Sequence, residues 1–137
     1  MAQRAGGILS EKIIKNWLAI AEYDYETAQS MFQSGRYIYV VFTCQQAVEK
    51  MLKAAYVREY QATPPYIHSL MKLAKSLSFF HEFSECQLFD MERLNSYYLQ
   101  SRYSDQIQEM MAQFTKEQAA EFLYKTEALM QWLRNKL

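Results

Sequence analysis

The chain has few residues that break helices. Its 137 residues include only three glycines and two prolines, whereas half of the residues are hydrophobic. Methionine, leucine, alanine, glutamine, glutamate and lysine are plentiful, and this composition is typical of an all-α protein. The length predicts one domain with a single core. We expect a flexible N-terminal lead at residues 1–9 and one helical domain at residues 10–137.

Cysteines are also scarce, and long apolar runs are absent from the sequence. Cys44 and Cys86 stand far apart, without a CxxC motif or a Cys/His cluster. This spacing favours two reduced thiols in a cytoplasmic protein over a disulfide. No apolar run approaches the roughly 18–20 residues of a membrane span, and the N-terminus lacks the apolar region of a signal peptide. We therefore expect a cytoplasmic protein that does not bind membranes.

The sequence has no excess charge of either sign and no familiar catalytic motif. Fifteen basic residues balance fifteen acidic ones, so the chain has no global field to attract nucleic acid. The patterns GxGxxG, GxxxxGK[ST], HExxH and GxSxG do not occur, nor does a metal-ligand cluster. From the sequence we therefore predict no catalytic residues of a familiar type, no metal site and no cofactor.

The segment Tyr37–Tyr60 is predicted to form a central helix. Its apolar residues recur at steps of three and four and cover far more than one face, so the helix needs neighbours on several sides. Met51 and Val48 are predicted to be almost fully buried, and alanine at Met51 should cost about 2–5 kcal/mol. Alanine at Lys53 should change stability by no more than about 0.5 kcal/mol. Lys53 is assigned to the outward strip, which comprises Tyr39, Gln46, Lys50, Lys53 and Val57.

The other helices are predicted from stripes of apolar residues, from capping residues and from residues that end helices. Gly35 suits a helix C-terminus, Pro64-Pro65 ends the central helix, and two capping boxes begin at Ser84 and Thr115. The fold class is an antiparallel up-and-down bundle of four long helices and one short helix. The predicted helices are Ser10–Ser34 with Ser10 as its cap, Tyr37–Tyr60, a short one at Ile67–Leu77, Glu85–Gln100, and one from Thr115 to Leu137. The segment Ser101–Phe114 shows no clear periodicity and is predicted to be a loop.

A few polar residues fall on predicted inner faces. Asp24 lies in the middle of the first helix's apolar stripe, and Gln45 and Glu49 lie one turn apart on the central helix. A buried polar group without a partner costs about 1–3 kcal/mol, so these groups must be paired or must face a cleft. Either a polar binding pocket or a buried salt-bridge network that fixes helix register fits this pattern.

Three segments, in their order and spacing, resemble the sequence of a known family. They are CQQAVEKMLKA (Cys44–Ala54), PPYIHSLMKL (Pro64–Leu73) and NSYYLQSRYSD (Asn95–Asp105), and Asp24 matches the family's acidic position in the first helix. The family is the HEPN domain, "higher eukaryotes and prokaryotes nucleotide-binding", and the likeness spans about residues 17–133. It implies a compact α-helical bundle, often a homodimer, commonly encoded beside a minimal nucleotidyltransferase as a two-gene toxin–antitoxin module.

Many HEPN proteins are metal-independent ribonucleases with an Arg-x4–6-His motif, in which the histidine assists attack by the RNA 2′-hydroxyl. Arg102 stands where that arginine is expected, but Ile107, Gln108 and Glu109 occupy the positions where the histidine would follow. Without the imidazole, an acid–base role worth about 10²–10⁴-fold is missing. The chain is therefore identified as a member of the RYxD type that lacks the ribonuclease motif.

The resemblance implies a non-catalytic module that binds a nucleotide, a nucleotidyltransferase partner or both through a polar cleft. Arg102 would bind phosphate, and Tyr98 or Tyr103 could stack on a base. The alternative is a metal-independent ribonuclease with a non-standard set such as Arg102, Tyr103 and His68. His68 is otherwise interpreted as a packing or capping residue. The predicted binding residues are Asp24, Gln45, Glu49, Tyr98, Arg102, Tyr103 and Asp105.

A homodimer is predicted from the aromatic content as well as from the resemblance. The chain has eleven tyrosines, eight phenylalanines and two tryptophans. This is more than one small bundle core readily buries, and aromatic residues are enriched at protein interfaces. A second copy of the chain is therefore an expected partner.

Overall fold

The structure is a computed structural model that describes residues 7–103, 105 and 107–137, without the side chains of residues 7, 8 and 101–103. The described residues form helices and turns without a strand, which confirms the predicted all-α bundle. The helices are α1 (Gly7–Gln33), α2 (Tyr37–Tyr60), α3 (Leu70–Lys75), α4 (Glu85–Tyr103), α5 (Ile107–Gln113) and α6 (Lys116–Arg134), with a 3₁₀ turn at Phe80–Glu82.

Helix α2 is the centre of the bundle. It packs along α1 over most of its length and also contacts α3, α4, α5 and α6. Val48 and Met51 are fully buried, as predicted, and they meet Met91 and Leu94 of α4 and Phe122 of α6 in one core cluster. This central position explains why apolar residues surround nearly the whole circumference of α2.

Helix α1 begins earlier than predicted, at Gly7, so the assignment of Ser10 as its cap is wrong. Ser10 lies inside the helix, where it is buried and donates a hydrogen bond to the side chain of Gln61. The buried stripe includes Tyr25, whose hydroxyl donates to the Leu123 carbonyl at 3.1 Å and to Glu127 at 3.0 Å. Because this stripe is centred away from the predicted one, Asp24 lies at its edge rather than in its middle. The buried residues of the stripe are Ile14, Ala21, Tyr25 and Ala28.

Helix ends follow the predicted caps in most places. Gly35 has a positive φ of 78° in the turn between α1 and α2. The Thr115 and Gln118 capping box is formed at the start of α6, and Ser84 and Gln87 exchange the corresponding hydrogen bonds at the start of α4. The two capping boxes are reliable signals because each satisfies backbone N–H groups that the first helical turn leaves unpaired.

Two predicted boundaries are wrong. The third helix spans only Leu70–Lys75, because Ser69 caps it and accepts a hydrogen bond from the Lys72 backbone at 3.2 Å. The segment predicted as a loop after Gln100 instead extends α4 to Tyr103 and then forms α5. Helix α5 exists because Ile107, Met110 and Phe114 recur at helical spacing and pack against the core.

Both cysteines are free, as expected. Cys44 is fully buried, and burial raises the pKa of its thiol to about 12, whereas Cys86 is exposed. Within the described ranges, none of the helices combines the length and the apolar character that crossing a bilayer requires.

Candidate functional site

A buried carboxylate on α2 is the centre of the polar groups inside the bundle. Glu49 is only 1% exposed. Its Oε2 lies 3.2 Å from Lys53 Nζ, and its Oε1 lies 3.1 Å from His68 Nδ1 and 3.5 Å from Gln45 Nε2. Gln45, Glu49 and Lys53 share one side of the helix because they are spaced four residues apart. The carboxylate is therefore fully partnered, which a buried charge requires.

The connection between α2 and α3, residues 61–69, brings His68 to this carboxylate. The His68 carbonyl accepts a hydrogen bond from Gln45 Nε2 at 3.0 Å, so α2 holds the connection in place. Helix α4 holds the end of the connection, because Asn95 Oδ1 accepts a hydrogen bond from the backbone N–H of Leu70, the first residue of α3, at 3.3 Å. The His68 side chain remains 47% exposed. One ring nitrogen thus meets a buried carboxylate while the rest of the ring faces the surface.

The hydrogen bonds continue from this site across α2 to α1. Gln46 Nε2 donates to Gln45 Oε1 at 2.7 Å, and Lys50 donates to Gln46 Oε1 at 2.9 Å. Lys50 Nζ lies 3.6 Å from Asp24 Oδ2. We call the set Asp24, Gln45, Gln46, Glu49, Lys50, Lys53 and His68 the Glu49 network. It links the first helix to the surface beside α3.

Asp24 is the end of the Glu49 network that lies on α1. Its side chain is 22% exposed, and the buried Oδ2 has no hydrogen bond among the described residues. Burial raises the pKa of the Asp24 carboxyl, and the nearby charge of Lys50 offsets only part of this rise. The charge of Lys50 therefore compensates the Asp24 carboxylate only in part.

Aromatic rings surround the exposed end of the Glu49 network. Lys53 Nζ lies 5.6 Å from the centre of the Trp17 ring and 5.8 Å from that of Tyr66. The His68 ring lies 5.6 Å from Tyr66 and 6.4 Å from the buried ring of Tyr98. Tyr66 itself is 90% exposed. These rings offer flat surfaces next to hydrogen-bonding groups, an arrangement suited to a planar polar ligand.

Four of the predicted binding residues lie in or beside this site. Asp24, Gln45 and Glu49 belong to the Glu49 network, and Tyr98 lies against His68. Asp105 is exposed in the turn between α4 and α5, and no hydrogen bond of the described residues joins it to the network. The side chains of Arg102 and Tyr103 lie outside the described residues. In the described part of the chain, the cation next to Asp24 is Lys50.

Sequence reasoning missed the burial of Lys53 and named His68 only in the alternative ribonuclease set. Lys53 was assigned to the outward strip with Val57, but both are buried because Trp17 and the connection at residues 61–69 cover this side of α2. The spacing of Glu49 and Lys53, four residues apart, was the available signal for the ion pair. The interpretation of His68 as a packing or capping residue overlooked its contact with Glu49, since nothing local in the sequence predicts how the connection folds back.

No group of three or more histidine, cysteine, aspartate or glutamate side chains with the geometry to hold a metal ion occurs among the described residues. The Glu49 network has one buried carboxylate and one imidazole in contact, together with lysine and glutamine. These groups can donate and accept hydrogen bonds.

Comparisons with known proteins agree with the resemblance described above. The sequence model of the HEPN domain family matches residues 14–136. The fold is similar to that in the crystal structure of TT1696 from Thermus thermophilus, with a TM-score of 0.78. That alignment covers 90% of this chain and 98% of TT1696 at 24% sequence identity, which supports a shared fold alone. No curated protein matches the sequence.

Proposed function

The chain belongs to the HEPN domain family, and we propose that it is a non-catalytic module that binds a nucleotide at the exposed end of the Glu49 network. The observation that carries this proposal is the half-exposed imidazole of His68, whose Nδ1 contacts the buried Glu49 carboxylate. Since Glu49 occupies Nδ1, Nε2 is the nitrogen left for a ligand. A neutral ring could accept a hydrogen bond from a ribose hydroxyl, and a protonated ring could donate one to phosphate.

The surroundings of His68 support a nucleotide rather than a simple anion. The exposed ring of Tyr66 lies next to the imidazole, where a bound nucleotide can reach it. The Tyr98 ring also lies near His68 but is buried, so it supports the imidazole from inside the bundle. Aromatic side chains stack on nucleobases with little regard to sequence. Within the Glu49 network, the two carboxylates are balanced by the two lysines, so the site has no excess negative charge that would repel a phosphate group. The sequence-predicted role of Arg102 as a phosphate ligand belongs to the same proposal.

We expect His68 to control nucleotide affinity. Replacing His68 with alanine should weaken binding of ATP, GTP or a nucleoside monophosphate by about ten- to a hundredfold, because a hydrogen bond to a charged group contributes about 1.5–3 kcal/mol. Isothermal titration calorimetry measures this change. His81, the other histidine of the chain, is exposed on the 3₁₀ turn, so His81→Ala is the matched control and should bind like the wild type.

Two results would overturn the proposal of a nucleotide module. The first is the absence of both heat and thermal stabilisation with every nucleotide, since a ligand present at 100 times its Kd should stabilise the fold by about 2.7 kcal/mol. The second is an equal loss of affinity in His68→Ala and His81→Ala, because then the site beside Glu49 would not be responsible.

The contact between Glu49 and His68 also supports the alternative, a metal-independent ribonuclease. A carboxylate that orients an imidazole through Nδ1 leaves Nε2 to act as a general acid or base. The same protein samples test it, incubated with RNA and a chelator. RNA cleavage that persists in His81→Ala and disappears in His68→Ala would replace the non-catalytic proposal with the catalytic one.

We further propose a homodimer and a minimal nucleotidyltransferase as protein partners. Support comes from large aromatic side chains that stay exposed on three helices, namely Tyr23, Phe89 and Tyr124. Such residues are enriched at protein interfaces. Sedimentation over a dilution series should give the mass of two chains. A nucleotidyltransferase encoded by an adjacent gene should co-sediment with the dimer. A monomer throughout the series would contradict the dimer.

A further inference from the structure

A small apolar pocket opens beside the Glu49 network. It encloses about 190 Å³ between α1, α2 and the first residues of the connection that follows α2. Gln61 adopts a left-handed conformation with φ of 51°, which turns the chain away from the axis of α2. Its amide group donates to the carbonyls of Val57 and Arg58, so this wall of the pocket is fixed. The lining residues are Ile13, Trp17, Val57, Gln61, Ala62, Thr63 and Pro64.

The pocket shares one residue with the site around His68. Trp17 lines the pocket and lies 5.6 Å from Lys53 Nζ, which in turn lies 5.8 Å from Tyr66. Tyr66 contacts His68 at a ring distance of 5.6 Å. A continuous series of side chains therefore leads from an uncharged pocket to a group that can carry positive charge. One ligand with a neutral flat part and an anionic part would match both ends.

We propose that this pocket holds the base of the bound nucleotide, with the ribose and phosphate passing Trp17 toward Tyr66 and His68. The inference rests on the proposed function, since it assigns a place to part of the same ligand. The pocket is smaller than the roughly 300–1,000 Å³ of pockets that enclose a whole drug-sized ligand, so it suits a fragment. Its lining carries no charged residue, which favours a neutral ring over phosphate. The Trp17 indole provides the stacking surface, and Thr63 provides a polar group near it.

The fluorescence of Trp17 reports directly on this assignment. The chain has only two tryptophans, and Trp132 packs against Phe79 and Phe83. Phenylalanine at position 132 keeps an aromatic ring in that contact and leaves Trp17 as the single tryptophan. In Trp132→Phe, adenosine and AMP should quench the fluorescence, because a stacked base quenches an indole. The AMP concentration at half quenching should equal the Kd from calorimetry.

A second variant tests the pocket without changing Trp17. Ala62→Leu adds apolar volume to the lining of the pocket, so it should lower AMP affinity by at least tenfold. In the double variant Trp132→Phe/Ala62→Leu, most of the quenching of Trp17 by AMP should be lost. Leucine at the exposed residue Ala112 of α5 is the matched control, with the same added volume away from the pocket. It should leave affinity and quenching unchanged.

The outcomes separate this inference from the proposed function. In the first outcome, AMP binds with an affinity that falls in His68→Ala, but AMP does not quench Trp17 and Ala62→Leu does not change the affinity. The base then lies elsewhere, and only the inference is overturned. If adenosine quenches Trp17 and Ala62→Leu prevents it, while AMP affinity is the same in wild type and His68→Ala, the pocket assignment holds and the proposed role of His68 is wrong. If neither adenosine nor AMP binds but another nucleotide does, the experiments are repeated with that nucleotide and its nucleoside, and the same two outcomes apply. If no nucleoside or nucleotide binds by either method, the inference and the proposed function are both overturned.

Discussion

Replacing Lys53 with methionine is expected to lower the free energy of unfolding by about 3–5 kcal/mol. Methionine matches the length and the apolar stem of lysine, so packing against Trp17 is largely kept. What is lost is the positive charge 3.2 Å from Glu49, a carboxylate that is itself only 1% exposed. Removing one partner of a buried pair leaves the other charge uncompensated. Urea denaturation of wild type and variant measures the difference.

A matched control and a double variant decide whether the lost pair is the cause. Lys15 is exposed on α1, so Lys15→Met should change stability by no more than about 0.5 kcal/mol. Glu49→Gln combined with Lys53→Met removes both charges and should recover most of the loss, because replacing a whole buried pair is often nearly neutral. The glutamine can still hydrogen-bond to His68 and Gln45. Equal losses from Lys53→Met and Lys15→Met would mean that the pair contributes little in solution.

This result would reverse what the sequence alone predicts for Lys53. Helix phase places Lys53 opposite the core of α2, and lysine is a residue rarely buried without a partner. Its burial comes from Trp17, on another helix, and from Tyr66, in a connection without regular structure. Periodicity describes one helix at a time, so it does not predict that segments distant in sequence will bury a residue such as Lys53. The bundle and the helix ends marked by Gly35, Ser84 and Thr115 were predictable because stripes and caps are local signals.

The candidate site was predictable in part for the same reason. Glu49 and Gln45 were identified because a polar pair on a mostly apolar helix must be partnered, and the structure supplies those partners. The four-residue spacing from Glu49 to Lys53 was visible in the sequence. The contact with His68 could not be named in advance, since His68 arrives through the chain reversal after α2. For Asp24, the hairpin of α1 and α2 places Lys50 beside the carboxylate, at 3.6 Å, a pairing between two helices that the sequence did not reveal.

Replacing Met51 with alanine is expected to destabilise the fold by about 2–5 kcal/mol. Met51 is fully buried in α2, within the core cluster that also contains residues of α1, α4 and α6. Truncation removes apolar contacts and leaves a cavity that these helices cannot easily close, because each is also held by other contacts with α2. The midpoint of urea unfolding should fall while the dependence on urea concentration stays the same.

Met111 provides the matched control for this change. It lies on α5 and is exposed, so Met111→Ala makes the same chemical change in a helix without removing buried contacts. Its effect should stay within about 0.5 kcal/mol. Similar losses for the two variants would place Met51 outside the core and would mean that the phase of α2 is wrong. Because α2 also carries Gln45, Glu49 and Lys53, such a result would remove the geometric basis of the Glu49 network and of the nucleotide site proposed above it.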